Sequence, residues 1–197
     1  MTDARTVDVY NANVARYRAL VDKLPELESV AGFVSRLPAG AVVLDLGCGV
    51  GTSASEFSRH GLNPVCVDAS QEMVKAANDA FDLGATVASF ADLDDIDTYD
   101  GVWANFSLLH ASKSDFPHHI EAIYRALKPE GLFFIALKTG DGEKRDTLGR
   151  FYAYYRQEEL TSILNDAGFK TDHIISGASR GMEGTVEPWI GIYAHKT

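Results

Sequence analysis

The chain has 197 residues and a formal net charge of -10, and 46% of its residues are hydrophobic. This length and apolar content predict one domain over residues 1–197, with a helical cap over residues 1–38 and a core over residues 41–197. Lys and Arg gather nowhere along the sequence, which argues against a nucleic-acid substrate, because phosphate binding depends on such basic patches. Two cysteines, no long apolar run and no secretory pattern predict a cytoplasmic protein without disulfides or a membrane span.

Two apolar patterns with helical spacing precede the first predicted strand. The first pattern consists of Val14, Tyr17, Val21 and Leu24, and it stops at Pro25. The second pattern consists of Leu27, Val30, Val34 and Leu37, and it stops at Pro38. Because proline ends a helix, this spacing predicts two N-terminal helices.

From residue 41 onward, short apolar runs alternate with amphipathic stretches. The apolar runs predict strands over residues 41–46, 63–68, 85–90, 99–105, 132–137, 169–175 and 189–194. Helical spacing predicts helices that begin at Thr52, after the N-cap residue Ser70, near Ser114 and at Arg156. A polar loop is expected from Lys138 to Arg150. Such alternation is typical of an α/β fold in which helices cover both faces of a parallel sheet.

The connection between the last two predicted strands differs from the others. It runs from Ser176 to Gly184, is rich in glycine and is too short for a crossover helix. These two strands should therefore form an antiparallel hairpin. The sequence predicts a seven-stranded, mostly parallel sheet whose last strand is antiparallel.

A glycine loop follows the first predicted strand directly, and it has the form Asp45-Leu46-Gly47-Cys48-Gly49-Val50-Gly51. Its glycines allow a sharp turn and a close approach of the backbone to a ligand. Asp68 ends the second strand, where a carboxylate can accept hydrogen bonds from both hydroxyls of a ribose. Gly49, Gly51 and Ala54 also satisfy the dinucleotide pattern G-x-G-x-x-G/A, so the loop by itself also permits a nicotinamide cofactor.

The segment Val43 to Gly51 resembles motif I of the class I S-adenosylmethionine-dependent methyltransferases, acidic-x-G-x-G-x-G, at every defined position. The similarity extends to Val65–Asp68 (ribose motif), Ala91–Leu93 (adenine motif), Asp100–His110 (fourth motif) and Leu127–Phe133 (turn before the fifth strand). It covers roughly residues 10 to 195 and implies a Rossmann-like three-layer sandwich. The family's sheet also ends in an antiparallel hairpin, in agreement with the short last connection.

The resemblance implies that the protein binds S-adenosylmethionine and releases S-adenosylhomocysteine. The implied cofactor-binding residues are Tyr17, Asp45, Gly47, Gly49, Gly51, Asp68, Ala69, Asp92, Leu93 and Asn105. The glycine loop would wrap the methionine and ribose portions, and Asn105 would lie near the methionine amino group. Asp92 would bond the adenine amino group, with Leu93 beside the ring.

Four of these residues have structural alternatives. Asp92 begins an acidic run that ends at Asp97 and could be a solvated loop. Asp45 could be a buried carboxylate that bonds loop amides, and Asp68 could cap a helix. Tyr17 has helical spacing with the apolar residues Val14 and Val21, so packing in the core is nearly as well supported as contact with the cofactor.

The implied reaction is an in-line displacement, which needs a general base only if the nucleophile keeps its proton. His110 is the candidate base because it follows the fourth strand at the open end of the sheet; packing or cofactor contact is its alternative role. Tyr10 resembles aromatic positions that cover the cofactor in small relatives, and it is a candidate acceptor contact.

The loop after the fifth strand carries the remaining candidate acceptor contacts, which are Lys138, Arg145, Arg150 and Tyr154. Cations beside aromatic rings could bind an anionic small molecule through a clamped carboxylate. In the alternative, the arginines pair with Asp141, Glu143 or Asp146 in a solvated lid. No metal site is predicted, because Asn105 and Lys138 replace the acidic ligands of catechol-type enzymes, and His118 and His119 diverge on a helix.

The sequence thus predicts a metal-independent methyltransferase that acts on a small molecule, as a monomer or a homodimer. Two other classes of function remain open. A non-catalytic regulator would use the same cofactor motifs, since fold and cofactor binding do not establish turnover. A nicotinamide-dependent oxidoreductase would explain the glycine loop and Asp68, but not Asp92 or the terminal hairpin.

Overall fold

The structure is a computed structural model that describes residues 3–22 and 28–197. Among these described residues, three short helices precede the sheet: α1 (Ala4–Ala12), α2 (Val14–Val21) and α3 (Glu28–Val34). The prediction of two N-terminal helices is therefore corrected to three. Helix α1 has a weak apolar pattern and buries only Thr6 among its own residues, but Asp3 caps its first turn by accepting from Thr6 N at 2.8 Å. Leu24, Pro25 and Leu27 lie outside the described residues.

The remaining elements alternate as the sequence predicted. The strands are β1 (Val42–Leu46), β2 (Asn63–Asp68), β3 (Thr86–Val87), β4 (Tyr99–Asn105), β5 (Leu127–Lys138), β6 (Glu143–Arg145), β7 (Phe151–Ala153), β8 (Phe169–Arg180) and β9 (Val186–Lys196). The helices are α4 (Thr52–Arg59), α5 (Gln71–Phe81), α6 (Phe116–Ala126) and α7 (Gln157–Asp166). Ser70 caps α5, as predicted, by accepting from Met73 N at 3.1 Å.

Seven strands form one sheet in the order β3-β2-β1-β4-β5-β9-β8. Strand β9 runs antiparallel to both of its neighbours, whereas the other described pairs in this sheet are parallel. The predicted terminal hairpin and its single reversed strand are confirmed.

Four local features differ from the prediction. Strand β8 extends to Arg180 and β9 begins at Val186, so part of the expected connection from Ser176 to Gly184 is strand. Strand β3 has only two residues, and the chain then forms a 3-10 turn over Phe90–Asp92. Strand β5 begins at Leu127 rather than 132, so it includes the predicted turn, where Glu130 has φ of 62°. The polar loop after β5 contains a short hairpin of β6 and β7, which its exposed charged residues did not indicate.

The sheet is covered on both faces, and each face has its own core. On one face, Trp103 of β4 stacks on Phe134 with ring centroids 4.1 Å apart, and Phe33 of α3 and Phe57 of α4 pack around it. On the other face, Ile120 of α6 and Leu164 of α7 are buried in a core that also contains Val102 of β4 and Phe133 of β5. No helix among the described residues is long and apolar enough to cross a membrane.

This topology determines where a ligand can bind. The chain leaves β1 toward β2 on one side, and it later returns to place β4 on the other side. The loops after β1 and β4 therefore separate at the carboxyl edge of the sheet and leave a crevice between them.

Candidate functional site

The glycine loop turns from β1 into α4 over residues 47–51. Val67 of β2 fixes its start, because its carbonyl accepts from Gly47 N and Cys48 N, both at 2.9 Å. Gly51 is the N-cap of α4 and has φ of 83°. The loop is thus held by the neighbouring strand at one end and by a helix at the other.

Close packing explains two of the glycines. A Cβ atom on Gly47 would lie 2.4 Å from Ser107 Cβ, and one on Gly51 would lie 2.6 Å from Leu83 Cδ1. Gly47 also has φ of 85°, which favours glycine at this point. Alanine would therefore meet both steric overlap and backbone strain at either position.

Asp68 closes the other side of the loop. Its carboxylate accepts from Gly49 N at 2.9 Å and from Ser70 N at 2.8 Å. Burial raises the pKa of Asp68 above its usual value, and these two bonds oppose the rise. Asp68 therefore ties the glycine loop to the start of α5 and does not simply cap a helix.

Asp45 is the last but one residue of β1 and is 2% exposed. Burial raises its pKa to about 8, and the nearby charge of Asp68 adds to the rise. Its Oδ2 atom and Trp103 Nε1 are buried without hydrogen-bond partners in the described part of the chain. Both residues line a cavity of about 370 Å³. Such unpaired buried atoms are costly unless a ligand or water satisfies them.

A second, smaller cavity of about 70 Å³ lies beneath α1. It brings together eight residues that the sequence analysis singled out: Tyr10, Tyr17, Gly47, Gly49, Asp68, Ala69, Asn105 and His110. Tyr17, Gly47 and Asn105 line both cavities. The two cavities therefore adjoin at the glycine loop, on the carboxyl edge of the sheet.

Helix α1 covers the smaller cavity and is attached on two sides. Asn11 Oδ1 accepts from Ser70 Oγ at 2.7 Å at the start of α5. On the opposite side, Thr6 Oγ1 accepts from Phe151 N of β7 at 2.8 Å. Asp3 also pairs with Arg145 of β6 at 2.7 Å, and this contact lowers the pKa of Asp3 below its usual value. The β6–β7 hairpin thus holds the cover in place.

His110 has hydrogen bonds at both ring nitrogens. Its Nδ1 lies 2.6 Å from the carbonyl oxygen of Phe151, and its Nε2 lies 2.8 Å from the Tyr10 hydroxyl. Desolvation lowers the pKa of His110 to about 3, with Arg150 and Lys138 contributing. His110 is therefore neutral at pH 7, and its basic nitrogen already faces Tyr10.

The predicted acceptor contacts after β5 are engaged within the chain. Arg150 is 3% exposed and pairs with Asp146 at 2.6 Å, and Arg145 pairs with Asp3. Lys138 pairs with Glu187, which also accepts from the Tyr154 hydroxyl at 3.1 Å. Of the alternative, a solvated lid whose arginines pair with Asp141, Glu143 or Asp146, the structure has the Arg150–Asp146 pair, but this pair is buried, and Arg145 pairs with Asp3.

Asp92 and Leu93 line neither of the two cavities. Asp92 is exposed, and its Oδ2 accepts from Ser89 N at 2.7 Å and from Ser89 Oγ at 2.8 Å. Leu93 is half-buried against the core. Gly51 also does not line either cavity, since its role is to pack against α5.

Several lining residues were not predicted as site residues. They are Thr6, Val7, Ser70, Met73, Ala88, Phe90, Phe106 and Ser107 in the smaller cavity. The pair Ser89 and Asp92 forms a capping box, whose S-x-x-D pattern is visible in the sequence and could have placed Phe90 in the turn. For Thr6 and Val7 of α1, the sequence contains no comparable pattern that would have placed them at the cavity.

No group of three or more His, Cys, Asp or Glu side chains suited to a metal ion occurs within residues 3–22 and 28–197. His118 is exposed and lies 3.8 Å from Glu121, whereas His119 is buried and its ring packs near Phe90. The two adjacent histidines thus point to different surroundings.

Comparison with protein-family models matches residues 43–131 to the methyltransferase domain family. The match begins in β1 and includes the glycine loop, Asp68 and His110. An O-methyltransferase, resE, from Aspergillus sclerotiorum is 28% identical over 149 residues, which cover 67% of this chain and 56% of that protein. A tRNA (carboxymethyluridine(34)-5-O)-methyltransferase from Arabidopsis thaliana is 30% identical over 124 residues, which cover 60% of this chain. The matched region spans 28% of that second relative, so the chain corresponds to only part of each curated relative.

A similar fold occurs in the crystal structure of Burkholderia thailandensis 1,6-didemethyltoxoflavin-N1-methyltransferase with bound 1,6-didemethyltoxoflavin and S-adenosylhomocysteine. The two have a TM-score of 0.79 and 22% sequence identity, and the match covers 98% of this chain and 88% of that one. This likeness and the sheet order show that the chain has the fold of that methyltransferase, and residues 43–131, which include the glycine loop, are similar to the methyltransferase domain family.

Proposed function

We propose that this protein transfers a methyl group from S-adenosylmethionine to a small-molecule acceptor. The observation that carries the proposal is the convergence of Asp45, the glycine loop and Asp68 on two adjoining cavities. S-adenosylmethionine combines a ribose with an ammonium group, and these need acceptors at separate points. The chain offers an aspartate side chain in each cavity, Asp45 in the larger and Asp68 in the smaller.

The residues present fit this cofactor. The ribose portion belongs at Asp68 and Ala69 in the smaller cavity, and the methionine portion at Asp45 in the larger one. Asp45 Oδ2 has no hydrogen-bond partner among the described residues, so an ammonium group would satisfy it. Tyr17 and Asn105, which line both cavities, would lie along the middle of the cofactor.

When bound, the cofactor supplies an electrophilic methyl group on a sulfonium. The task left to the protein is to hold the acceptor near that group and exclude water. Helix α1 and the β6–β7 hairpin are suited to this task, since their contacts close the smaller cavity. A methyl transfer of this kind needs no metal and no fixed catalytic triad.

The acceptor we favour is a small molecule. The resE relative and the toxoflavin enzyme support this choice, whereas the tRNA-modifying relative supports a nucleic acid. Two observations argue against a nucleic-acid acceptor, because phosphate binding needs free basic groups. The net charge is -10, and the basic side chains near the cavity are paired within the chain. An anionic acceptor would also compete with Asp3, Asp146 and Glu187 for those cations. We further propose that the protein has a single domain, is cytoplasmic, and is a monomer or a homodimer.

Calorimetric titration with S-adenosylmethionine, S-adenosylhomocysteine, NAD and NADP tests the cofactor. We expect micromolar binding of the first two, and a loss of about 10- to 100-fold in Asp68→Ala, because a charged hydrogen-bond partner is removed. Asp94→Ala is the matched control, since Asp94 is an exposed aspartate outside both cavities. Binding of the nicotinamide pair alone would overturn the proposal.

Turnover needs a separate measurement, because a non-catalytic regulator would bind the same cofactor. Radiolabelled methyl transfer would be screened against phenols, heterocyclic N–H compounds, carboxylic acids and total tRNA. Labelled small molecules are the expected outcome. Cofactor binding without any labelled product would favour the regulator, and labelled tRNA alone would identify a nucleic-acid enzyme.

A further inference from the structure

The larger cavity is lined by two residues that each have a buried polar atom without a partner, and the two atoms have opposite hydrogen-bonding character. Within the part of the chain that the structure describes, these atoms are Asp45 Oδ2 and Trp103 Nε1. An indole N–H group can only donate a hydrogen bond, whereas a carboxyl oxygen can accept one. The proposed function assigns the ammonium group of the cofactor to Asp45, and it leaves the Trp103 donor without a partner.

Asp45 and Trp103 are register partners on neighbouring strands. Strands β1 and β4 run parallel, and Asp45 lies opposite Trp103 in their pairing. Because neighbouring strands are about 4.8 Å apart, one small ligand group can contact both residues. An α-amino acid carries its ammonium and carboxylate groups on a single carbon atom. Its two charged groups therefore match the acceptor and the donor that these two strands present.

The indole ring of Trp103 is held in place before any ligand binds. The side chain is 0% exposed, and the ring stacks on Phe134 with centroids 4.1 Å apart. The rings of Phe33 and Phe57 pack edgewise against it, with centroid distances of 5.1 and 5.5 Å. A buried tryptophan usually has a hydrogen-bond partner for its N–H group. The fixed ring and the unpaired donor together indicate a prepared binding position.

The start of α4 makes this region favourable for an anion. Gly51 is the N-cap of α4 and supplies no side-chain cap bond, and Thr52 and Ser53 line the larger cavity. The positive end of a helix dipole attracts a carboxylate. Asp22 and Glu56 also line the cavity and would repel an anion, so a carboxylate there needs a direct hydrogen-bond donor.

We propose that Trp103 Nε1 donates a hydrogen bond to the carboxylate of the methionine portion of S-adenosylmethionine, next to the ammonium group at Asp45. The inference rests on the proposed function, because it concerns the cofactor of that reaction. Trp103 is then a cofactor-binding residue, and it selects ligands that have an intact α-amino acid end.

S-adenosylhomocysteine and S-adenosyl-3-thiopropylamine make a direct test, because the second compound is the first without its carboxylate. Each would be titrated calorimetrically into the wild-type protein and into Trp103→Phe, which keeps an aromatic ring but removes the donor. We expect the wild type to bind S-adenosylhomocysteine about 10- to 100-fold more tightly than the amine analogue. In Trp103→Phe this ratio should fall about tenfold, while affinity for the amine analogue changes less than about twofold.

Trp189→Phe is the matched control for this substitution. Trp189 is the second of the two tryptophans in the chain, and it lines neither of the two cavities. This variant should retain the wild-type ratio of the two affinities. An equal fall of the ratio in both variants would show that loss of any tryptophan weakens binding, and it would overturn the inference.

Proton–nitrogen NMR of the wild-type protein provides a readout that needs no variant at position 103. The two indole N–H signals are assigned with Trp189→Phe. We expect S-adenosylhomocysteine to shift the Trp103 signal downfield, because its N–H group gains a charged acceptor, whereas the amine analogue should leave the signal near its ligand-free position.

Two results would overturn the inference while S-adenosylhomocysteine still binds. One is an equal shift of the Trp103 signal with both ligands, and the other is the same affinity ratio in Trp103→Phe as in the wild type. Either result would mean that water or the rings of Phe33 and Phe57 satisfy the N–H group. Failure of S-adenosylhomocysteine to bind at all would instead contradict the proposed function.

Discussion

Asp45 and Asp68 lie near the carboxyl ends of two neighbouring parallel strands, before and after the glycine loop, and the charge of Asp68 helps raise the pKa of Asp45 to about 8. Burial of Asp45 contributes more to this rise in pKa than the charge of Asp68 does. At neutral pH, Asp45 therefore carries a proton in the folded protein, whereas it would be ionised in the unfolded chain.

This pair predicts the pH dependence of stability. A carboxyl group with a raised pKa stabilises the fold fully below its unfolded value near 4, and the contribution is lost as pH rises through about 8. The loss is up to about 1.4 kcal/mol per pH unit in this window. Urea unfolding of the cofactor-free protein from pH 4 to 8 should show a steeper loss in wild type than in Asp45→Asn. Equal slopes would contradict the raised pKa.

The glycine loop predicts a contrast between two alanine variants. Gly51 and Gly61 have φ of 83° and 76°, but a Cβ on Gly51 would lie 2.6 Å from Leu83, whereas one on Gly61 has no atom within 4 Å. Gly61→Ala should cost only backbone strain, about 1 kcal/mol. Gly51→Ala should cost roughly 1–3 kcal/mol more because of overpacking. The free energies of unfolding in urea measure the difference, and similar losses would argue against close packing at Gly51.

The attachment of α1 is tested at Thr6. This residue is 4% exposed, and its hydroxyl accepts from Phe151 N and donates to Asp3. Thr6→Val keeps the shape but leaves the Phe151 amide unpaired, at a cost of about 1–3 kcal/mol. Hydrogen exchange should therefore rise in α1 and β7 while β4 and β5 stay protected. Thr6→Ser, which retains the hydroxyl, is the control; equal exchange in the two variants would mean that this bond does not hold the cover.

The buried pair of Arg150 and Asp146 predicts a non-additive effect on stability. Arg150→Met leaves the Asp146 carboxylate buried without its cation, which should cost about 3–5 kcal/mol. Asp146→Leu combined with Arg150→Met removes both charges and should recover much of that loss. Unfolding of both variants in urea gives the comparison. A double variant less stable than Arg150→Met would show that the pair stabilises the hairpin in another way.

Much of the fold could be predicted because the core strands have strong local signals. The run Val42–Leu46 before three glycines predicts a buried strand and a ligand loop, and both are present. The short Gly-rich connection before Val186 correctly predicted the reversed last strand. These features depend on neighbours in the sequence, so a local pattern was sufficient.

The site was harder to predict because its contacts join distant segments. Arg150 pairs with Asp146 four residues away, one of the pairings that the local sequence predicts, but Arg145 pairs with Asp3, which is 142 residues away near the N-terminus. Asp92 is expected to bond a ligand, and its carboxylate accepts from Ser89 N in the ligand-free structure. Residue spacing alone cannot decide whether such a carboxylate bonds a ligand or a backbone amide in its own turn.

The cover over the smaller cavity has a consequence for the order of synthesis. Tyr10, Asp68 and His110 leave the ribosome early, but the amide and carbonyl of Phe151 that anchor Thr6 and His110 come some forty residues later along the chain. A nascent chain that already contains the whole glycine loop and Asp68 therefore still lacks its closed cavity. The cover can form only after β7 has been made.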